Sequence, residues 1–267
     1  MIKLRFGCCL NMVALSGDPT GVMRIDTLAR CGYDYVELPL AQISEMDDAE
    51  FDSLVRTVKA SGVPCEVCNN FVPPYVKLVG ETANRANISK FFEFTLSRAE
   101  RLNVVFAGLG SSGARNVPEG FSRETALEQL VEAYTIAGDT ASRHGITINI
   151  EPLNRIESNI LNSIDECVAF KNMVNNKNVK LLIDYYHLAM DQEPVENVLK
   201  IGGDLLHTHI ARLEERLFPR EGDPDDYGAF FSVLKKMGYD SRMSIESYSK
   251  DFENDAAISL KYLRSLI

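Results

Sequence analysis

Eight short β-rich runs recur along the chain, at residues 3–7, 35–40, 64–69, 104–109, 147–153, 180–184, 205–211 and 242–247. Several are near-continuously apolar, as strands of a parallel sheet covered on both faces must be; an exposed antiparallel sheet would alternate instead. The segments between them carry helical periodicity. Residues 20–30 bring Val22, Ile25, Leu28 and Ala29 to one face, residues 48–60 bring Phe51, Leu54, Val55 and Val58, and residues 126–142 bring Leu127, Leu130, Val131 and Tyr134. Gly32, Gly62, Gly145 and Gly238 each fall just past such a pattern, where glycine supplies the left-handed conformation that ends a helix. Ser122, Ser163 with Glu166 three residues on, and Pro194 mark starts. Eight β units, each followed by a helix, use up the 267 residues without a Pro/Gly/Ser-rich linker. This predicts an α/β protein made of a single (β/α)8 TIM barrel over residues 1–267, closed by a last helix at 252–267. A doubly wound open sheet would carry GxGxxG after its first strand, and Phe6-Gly7-Cys8-Cys9 is not that sequence.

Composition narrows the function. The balance of 45% hydrophobic and 25% charged residues is that of an ordinary globular protein. Asp plus Glu number 38 against 28 Lys plus Arg, a net charge of −10 without a local basic stripe, so neither nucleic acid nor an anionic membrane surface is expected as a partner. No apolar run approaches the roughly 18 residues of a membrane span. Residues 1–15 place Lys3 and Arg5 before a mostly apolar stretch in the manner of a weak signal peptide. Asn11 interrupts it, the same residues are needed as a first strand, and a cytoplasmic location is expected. Six cysteines in a chain this long do not form a dense disulfide framework. The CxxC of Cys65 and Cys68 lies in a strand, where residues three apart face opposite ways, and a second CxxC is absent; small buried side chains are expected there. Only four histidines, His144, His187, His207 and His209, are available to any metal, and there is no tryptophan.

Barrel enzymes place their chemistry at the C-terminal ends of the strands. There the fifth run reaches Glu151, the sixth Asp184, the seventh His209 and the eighth Glu246. A carboxylate after three apolar strand residues is costly to bury unless it is paired or binds a cation. Three carboxylates and an imidazole at one level of a barrel would repel one another without one. Glu151, Asp184, His209 and Glu246 are therefore the expected ligands of one divalent metal ion. So oxygen-rich a set suits Mn²⁺ first, with Mg²⁺ or Co²⁺ as the other candidates, better than a structural thiolate zinc site.

These motifs together resemble the xylose isomerase-like barrels, and within them the ketose 3-epimerases of the tagatose and psicose epimerase type. The segment EPLNRIE from Glu151 to Glu157 is similar to the family's E-x-x-N-R-x-E, Asp184-Tyr-Tyr-His187 to its D-x-x-H, His207-Thr-His209 to its H-x-H, and Ser244-Ile-Glu246 to its last strand glutamate. The resemblance runs over most of the chain, with its specific motifs in the second half. It implies that Glu151, Asp184, His209 and Glu246 hold the metal, that Glu151 and Glu246 are also the catalytic acid/base pair, and that Glu157 and His187 hold the substrate near its carbonyl. It also implies an arginine after the metal histidine. Arg216 lies one residue beyond the usual spacing and is taken as that substrate-binding residue, with Arg212 a second candidate. A homo-oligomer, dimer or tetramer, is implied as well. Sugar pockets of this family commonly use tryptophan, which this chain lacks, so the sugar is not named.

The chemistry follows from the residues. Taking a proton from a carbon beside a ketone creates an enediolate, whose charge a Lewis acid stabilises. Two carboxylates then suffice, one removing the proton and the other returning one to the opposite face. With another bound pose the same pair would move the carbonyl, so an isomerase or dehydratase of another keto-polyol, of the hydroxypyruvate isomerase or inosose dehydratase type, is the alternative. The substrate partner is a small sugar or polyol. An endonuclease IV-type repair enzyme would need about five histidine ligands, and an inactive scaffold barrel would not need the quartet. His207, one layer below His209, is expected to support it or to fill the core; His144 to favour a helix terminus; Arg155 to pair with acidic residues around the site. The irregular stretch at 108–120, GLGSSGARNVPEG, is expected to face substrate, with phosphate binding through Arg115 as the lesser possibility.

Overall fold

The computed structural model describes residues 3–267. Its eight strands are β1 (Arg5–Cys8), β2 (Val36–Pro39), β3 (Cys65–Asn69), β4 (Phe106–Leu109), β5 (Thr147–Ile150), β6 (Val179–Asp184), β7 (Leu205–Ile210) and β8 (Arg242–Ile245). All pair in parallel, in the order β1-β8-β7-β6-β5-β4-β3-β2, with helices on the outside. The seam between β1 and β2 is held by the single bridge Cys9↔Glu37 and by Asp34, whose N–H donates to Phe6 O at 2.9 Å while its carboxylate accepts from Phe6 N–H at 2.8 Å. This nearly closed barrel is the expected TIM fold.

Local rules explain the outer layer. Asp47 caps the helix Asp48–Ser61 in a reciprocal capping box with Glu50, and Gly62 ends it at φ 76°. Ser122 caps Arg123–Arg143, and Ser163 caps Ile164–Val174, although Glu166 reaches back to Asn162 N–H and not to the cap residue itself. The helix Arg85–Arg101, not singled out from sequence, buries Ile88, Phe92, Leu96 and Ala99. β5 and β8 stop short of the runs read as 147–153 and 242–247. After β5, Pro152 has no N–H to extend the ladder. Among the described residues no helix is long and apolar enough to cross a membrane.

Inside the barrel the inward positions are unusually polar. Near its N-terminal end Glu66 accepts from Arg5 and Arg242, each at 2.6 Å. Above it, Tyr35 lies where Gly7 leaves room; a Cβ at Gly7 would stand 2.2 Å from the ring. Its hydroxyl is 2.8 Å from Ser244 Oγ, which donates to Glu37 at 2.6 Å. These layers carry the site at the C-terminal mouth.

Candidate active site

Glu151 follows β5 directly, Asp184 is the last residue of β6, His209 is next to last in β7, and Glu246 follows β8. Strand register sets Asp184 beside His209 and His209 beside Ser244, two residues before Glu246, so Asp184 and His209 share a level at the strand ends. Each offers one ligand atom, and these atoms lie within 4.8 Å of one another. His209 Nδ1 is 3.3 Å from Glu151 Oε1 and 3.3 Å from Glu246 Oε2. Asp184 and His209 are fully buried and Glu151 nearly so.

Burying like charges together shifts their protonation. Burial pushes Asp184 up to about 7, with Arg216 and His209 working against the rise and Glu246 and Glu151 adding to it. Burial also raises Glu151, partly offset by His209. For Glu246 burial acts upward too, but Arg216 and His209 together hold the carboxyl well below its ordinary range. His209 is driven well above an ordinary histidine by Glu37 and Glu246 in spite of burial. The chemistry of the donor set fits a hard divalent cation: converging carboxylate oxygens, one imidazole nitrogen, and like charges that a cation would relieve.

The remaining expected residues converge on the same mouth. Arg216 Nη2 lies 2.5 Å from Glu246 Oε2 and 3.0 Å from Asp184 Oδ2, and Nη1 is 3.6 Å from Glu157 Oε1. The other candidate, Arg212, pairs with Glu214 and Asp223 instead. His187 sits in the helix Tyr185–Met190, buried, with Nε2 3.6 Å from Asp184 and Nδ1 2.8 Å from Asn154 Nδ2. Burial and the nearby Arg216 lower it to about 3, so the ring is neutral. Asn154 also donates to Glu157 at 3.0 Å and so holds both side chains. A polar cavity of about 190 Å³ opens between Glu151, Glu157, His187, Arg216 and Glu246 on one side and Asn69 and Ser111 on the other.

Sequence reasoning missed Glu37 and Asn69. Glu37 is fully buried and bonds both His207 and His209, at 2.9 and 3.1 Å. Its signal was present, a carboxylate inside the apolar run YVELPL. Asn69 donates to Glu246 Oε1 and to Asn11 Oδ1, both at 3.1 Å. The trio Cys9, Glu37 and His209 also groups ligand-type atoms, but burial and Glu37 raise the Cys9 thiol far above its ordinary range, and a thiol is a poor ligand.

Other expectations change. Arg115 does not face a phosphate; it is fully buried and donates to Glu151 O at 2.8 Å and, more weakly, to Leu109 O and Leu161 O, tying the loop after β4 to the one after β5. The loop meets the cavity through Ser111 and Ser112. Arg155 pairs with an acidic residue as expected, Asp191 at 2.6 Å, and does not line the cavity. His144, at the end of its helix, contacts Glu100 at 2.7 Å and Glu93 at 3.3 Å. Cys65 and Cys68 are both buried free thiols, as expected.

Comparison with known proteins agrees with this geometry. Residues 25–266 match the family model described as xylose isomerase-like TIM barrel. The chain is 28% identical over 229 residues to an L-ribulose 3-epimerase of Methylomonas sp., covering 84% of this chain and 77% of that protein. It is 29% identical over 198 residues to a D-psicose 3-epimerase of Agrobacterium fabrum, covering 72% and 68%. A crystal structure of a D-psicose 3-epimerase in the presence of D-fructose superposes with a TM-score of 0.85 at 22% identity, over 98% of this chain and 99% of that one, which supports the fold.

Proposed function

The chain belongs to the xylose isomerase-like TIM-barrel family, and from that premise we propose that it is a metal-dependent sugar epimerase, acting on the carbon beside the ketone of a free ketose. Its relatives include an L-ribulose 3-epimerase and a D-psicose 3-epimerase. The observation that carries the reading is the quartet of Glu151, Asp184, His209 and Glu246, with ligand atoms within 4.8 Å of one another at the mouth of the barrel. On this reading those four hold one divalent ion, Mn²⁺ first, Mg²⁺ or Co²⁺ otherwise. When bound, the ion supplies Lewis-acid stabilisation of negative charge on the substrate's oxygens.

The chain's own groups do the rest. Glu151 or Glu246 takes the proton from the carbon beside the ketone, and the other returns a proton to the opposite face, inverting that centre. Glu157, His187 and Arg216 hold the carbonyl end; the neutral His187 donates or accepts without competing for the cation. Asn69 keeps Glu246 oriented. The far wall, with Asn11, Asn69 and Ser111, offers amides and hydroxyls to an uncharged polyol chain. Residues 1–267 form one domain in this proposal, acting in the cytoplasm as a dimer or tetramer.

The test is incubation of the Mn²⁺-loaded protein with a panel of free ketopentoses and ketohexoses in D₂O. Deuterium beside the carbonyl, with inversion at that carbon, is expected. Deuterium with a migrated carbonyl would move the reading to an isomerase, and no deuterium in any sugar would end the proton-transfer role.

A further inference from the structure

We infer that Glu37 is a positioning residue, which fixes the His209 ring so that its Nδ1 lone pair faces the ligand quartet; the inference rests on the metal-centre reading above. Glu37 stands in β2, on the opposite side of the seam from β1, and its side chain passes β1 and β8 to reach β7. It is fully buried in a strand otherwise apolar, and a carboxylate in that place requires partners.

It has three. Oε1 is 3.1 Å from His209 Nε2, and Oε2 is 2.9 Å from His207 Nε2 and 2.6 Å from Ser244 Oγ. Tyr35 OH in turn lies 2.8 Å from Ser244 Oγ. Carboxylate oxygens at these distances accept, so each of the three neighbours presents a hydrogen to Glu37. His209 therefore keeps a proton on Nε2. Its Nδ1, 3.3 Å from both Glu151 Oε1 and Glu246 Oε2, is then the nitrogen whose proton a cation between those carboxylates would replace, leaving its lone pair to the ion. The only other group at Nε2 among the described residues is the Cys9 sulfur at 3.9 Å, a weak acceptor that would not choose between tautomers. His207 shares the carboxylate through Nε2 while its own Nδ1 has no partner among the described residues, so the pair of rings is organised around Glu37 and not the reverse. A carboxylate behind a ligating imidazole fixes tautomer and ring angle and raises ligand basicity.

Glu37→Gln tests this directly. The amide accepts at one atom only; when its N–H₂ faces His209, the ring is forced to carry its proton on Nδ1, against the cation. In a folded variant, Mn²⁺ affinity measured by calorimetry is expected to fall by about 10- to 100-fold. Tyr35→Phe, which removes the outermost hydroxyl of the same chain without touching Glu37, should stay within about threefold of wild type. A folded Glu37→Gln that binds Mn²⁺ as tightly as wild type, or a Tyr35→Phe that loses as much, overturns the proposal. Should Glu37→Gln fail to fold, ¹⁵N spectra of the Mg²⁺-loaded wild type decide. A proton on His209 Nε2 supports the proposal, and an unprotonated Nε2 overturns it. A wild type that takes up neither ion removes the metal-centre reading, and this proposal with it.

Discussion

Gly110 lies so close to Glu151 that a Cβ at position 110 would stand 2.2 Å from Glu151 Oε2 and 3.4 Å from Leu153 Cδ2. Its backbone is not in the left-handed region, so alanine suits the local conformation and only the neighbour is disturbed. Gly110→Ala is expected to leave the circular dichroism spectrum unchanged while Mn²⁺ affinity and turnover each fall about tenfold or more, because a ligand displaced by about 1 Å is a poor ligand. Unchanged affinity and turnover would mean that Glu151 is free to adjust and that the loop after β4 does not press on it.

On the metal-centre reading, the raised carboxyl of Asp184 links ion binding to pH. Burial takes it to about 7 in the folded protein, above an ordinary aspartate. Below the unfolded value the group is neutral in both states. Between that value and about 7 folding retains a proton, so stability is lost as pH rises through about 7. A divalent ion takes the place of that proton. Mn²⁺ should therefore raise the melting temperature of chelator-treated protein more at about pH 8 than at about pH 5.5, and its affinity should weaken below about pH 7. Equal increments at both pH values would show that binding the ion does not displace a proton from Asp184.

Much of this was legible in the sequence for a physical reason. A parallel barrel writes each strand as an apolar run and each helix as a periodic segment, and glycine marks the helix ends, as Gly62 and Gly238 do at φ 76° and 66°. The quartet was legible because a carboxylate or imidazole at the end of an apolar run has no cheap burial. Groups that act through space without such a pattern were not. From the sequence Arg115 offers a phosphate contact in a glycine-rich loop, yet it binds backbone carbonyls, and main-chain acceptors leave no mark in a sequence. Asn69 gained its role only when β3 and β8 were brought across the barrel from one another. Choosing Arg216 over Arg212 needed the turn Glu214–Arg216, where the backbone of Glu215 and Arg216 takes φ of 56° and 50°.

That turn gives a third prediction. Two consecutive non-glycine residues in the left-handed region cost about 1–3 kcal/mol each and persist only where contacts hold them. Here the guanidinium bridges Glu246 and Asp184 and lies 4.4 Å over the Tyr186 ring. Its ion pairs with Glu246 and Asp184 are ones that an incoming cation has to compete with. Arg216→Gln should bind Mn²⁺ about tenfold more tightly, while turnover falls about a hundredfold for want of a donor at the carbonyl end. Calorimetry and steady-state kinetics on the same preparation read both. A variant that binds the ion less tightly would show that Arg216 builds the quartet and does not compete with it.

Glu151 and Glu246 flank His209 Nδ1 from two sides, each at 3.3 Å, and their surroundings differ. Burial raises Glu151, while Arg216 and His209 keep Glu246 ionised against burial. If they work from opposite faces of the substrate, each meets the proton of only one epimer. Glu151→Gln and Glu246→Gln retain an oxygen ligand and the shape of the site, and each should lower epimerisation by about 10²- to 10⁴-fold in both directions. The residual exchange should split. One variant, given each epimer separately in D₂O, should still wash the proton out of one of them, and the other variant out of its partner. Mass spectrometry of the recovered sugar reads this without requiring turnover. Two variants that exchange the same epimer would assign both directions to one carboxylate, with the second serving only to hold the ion.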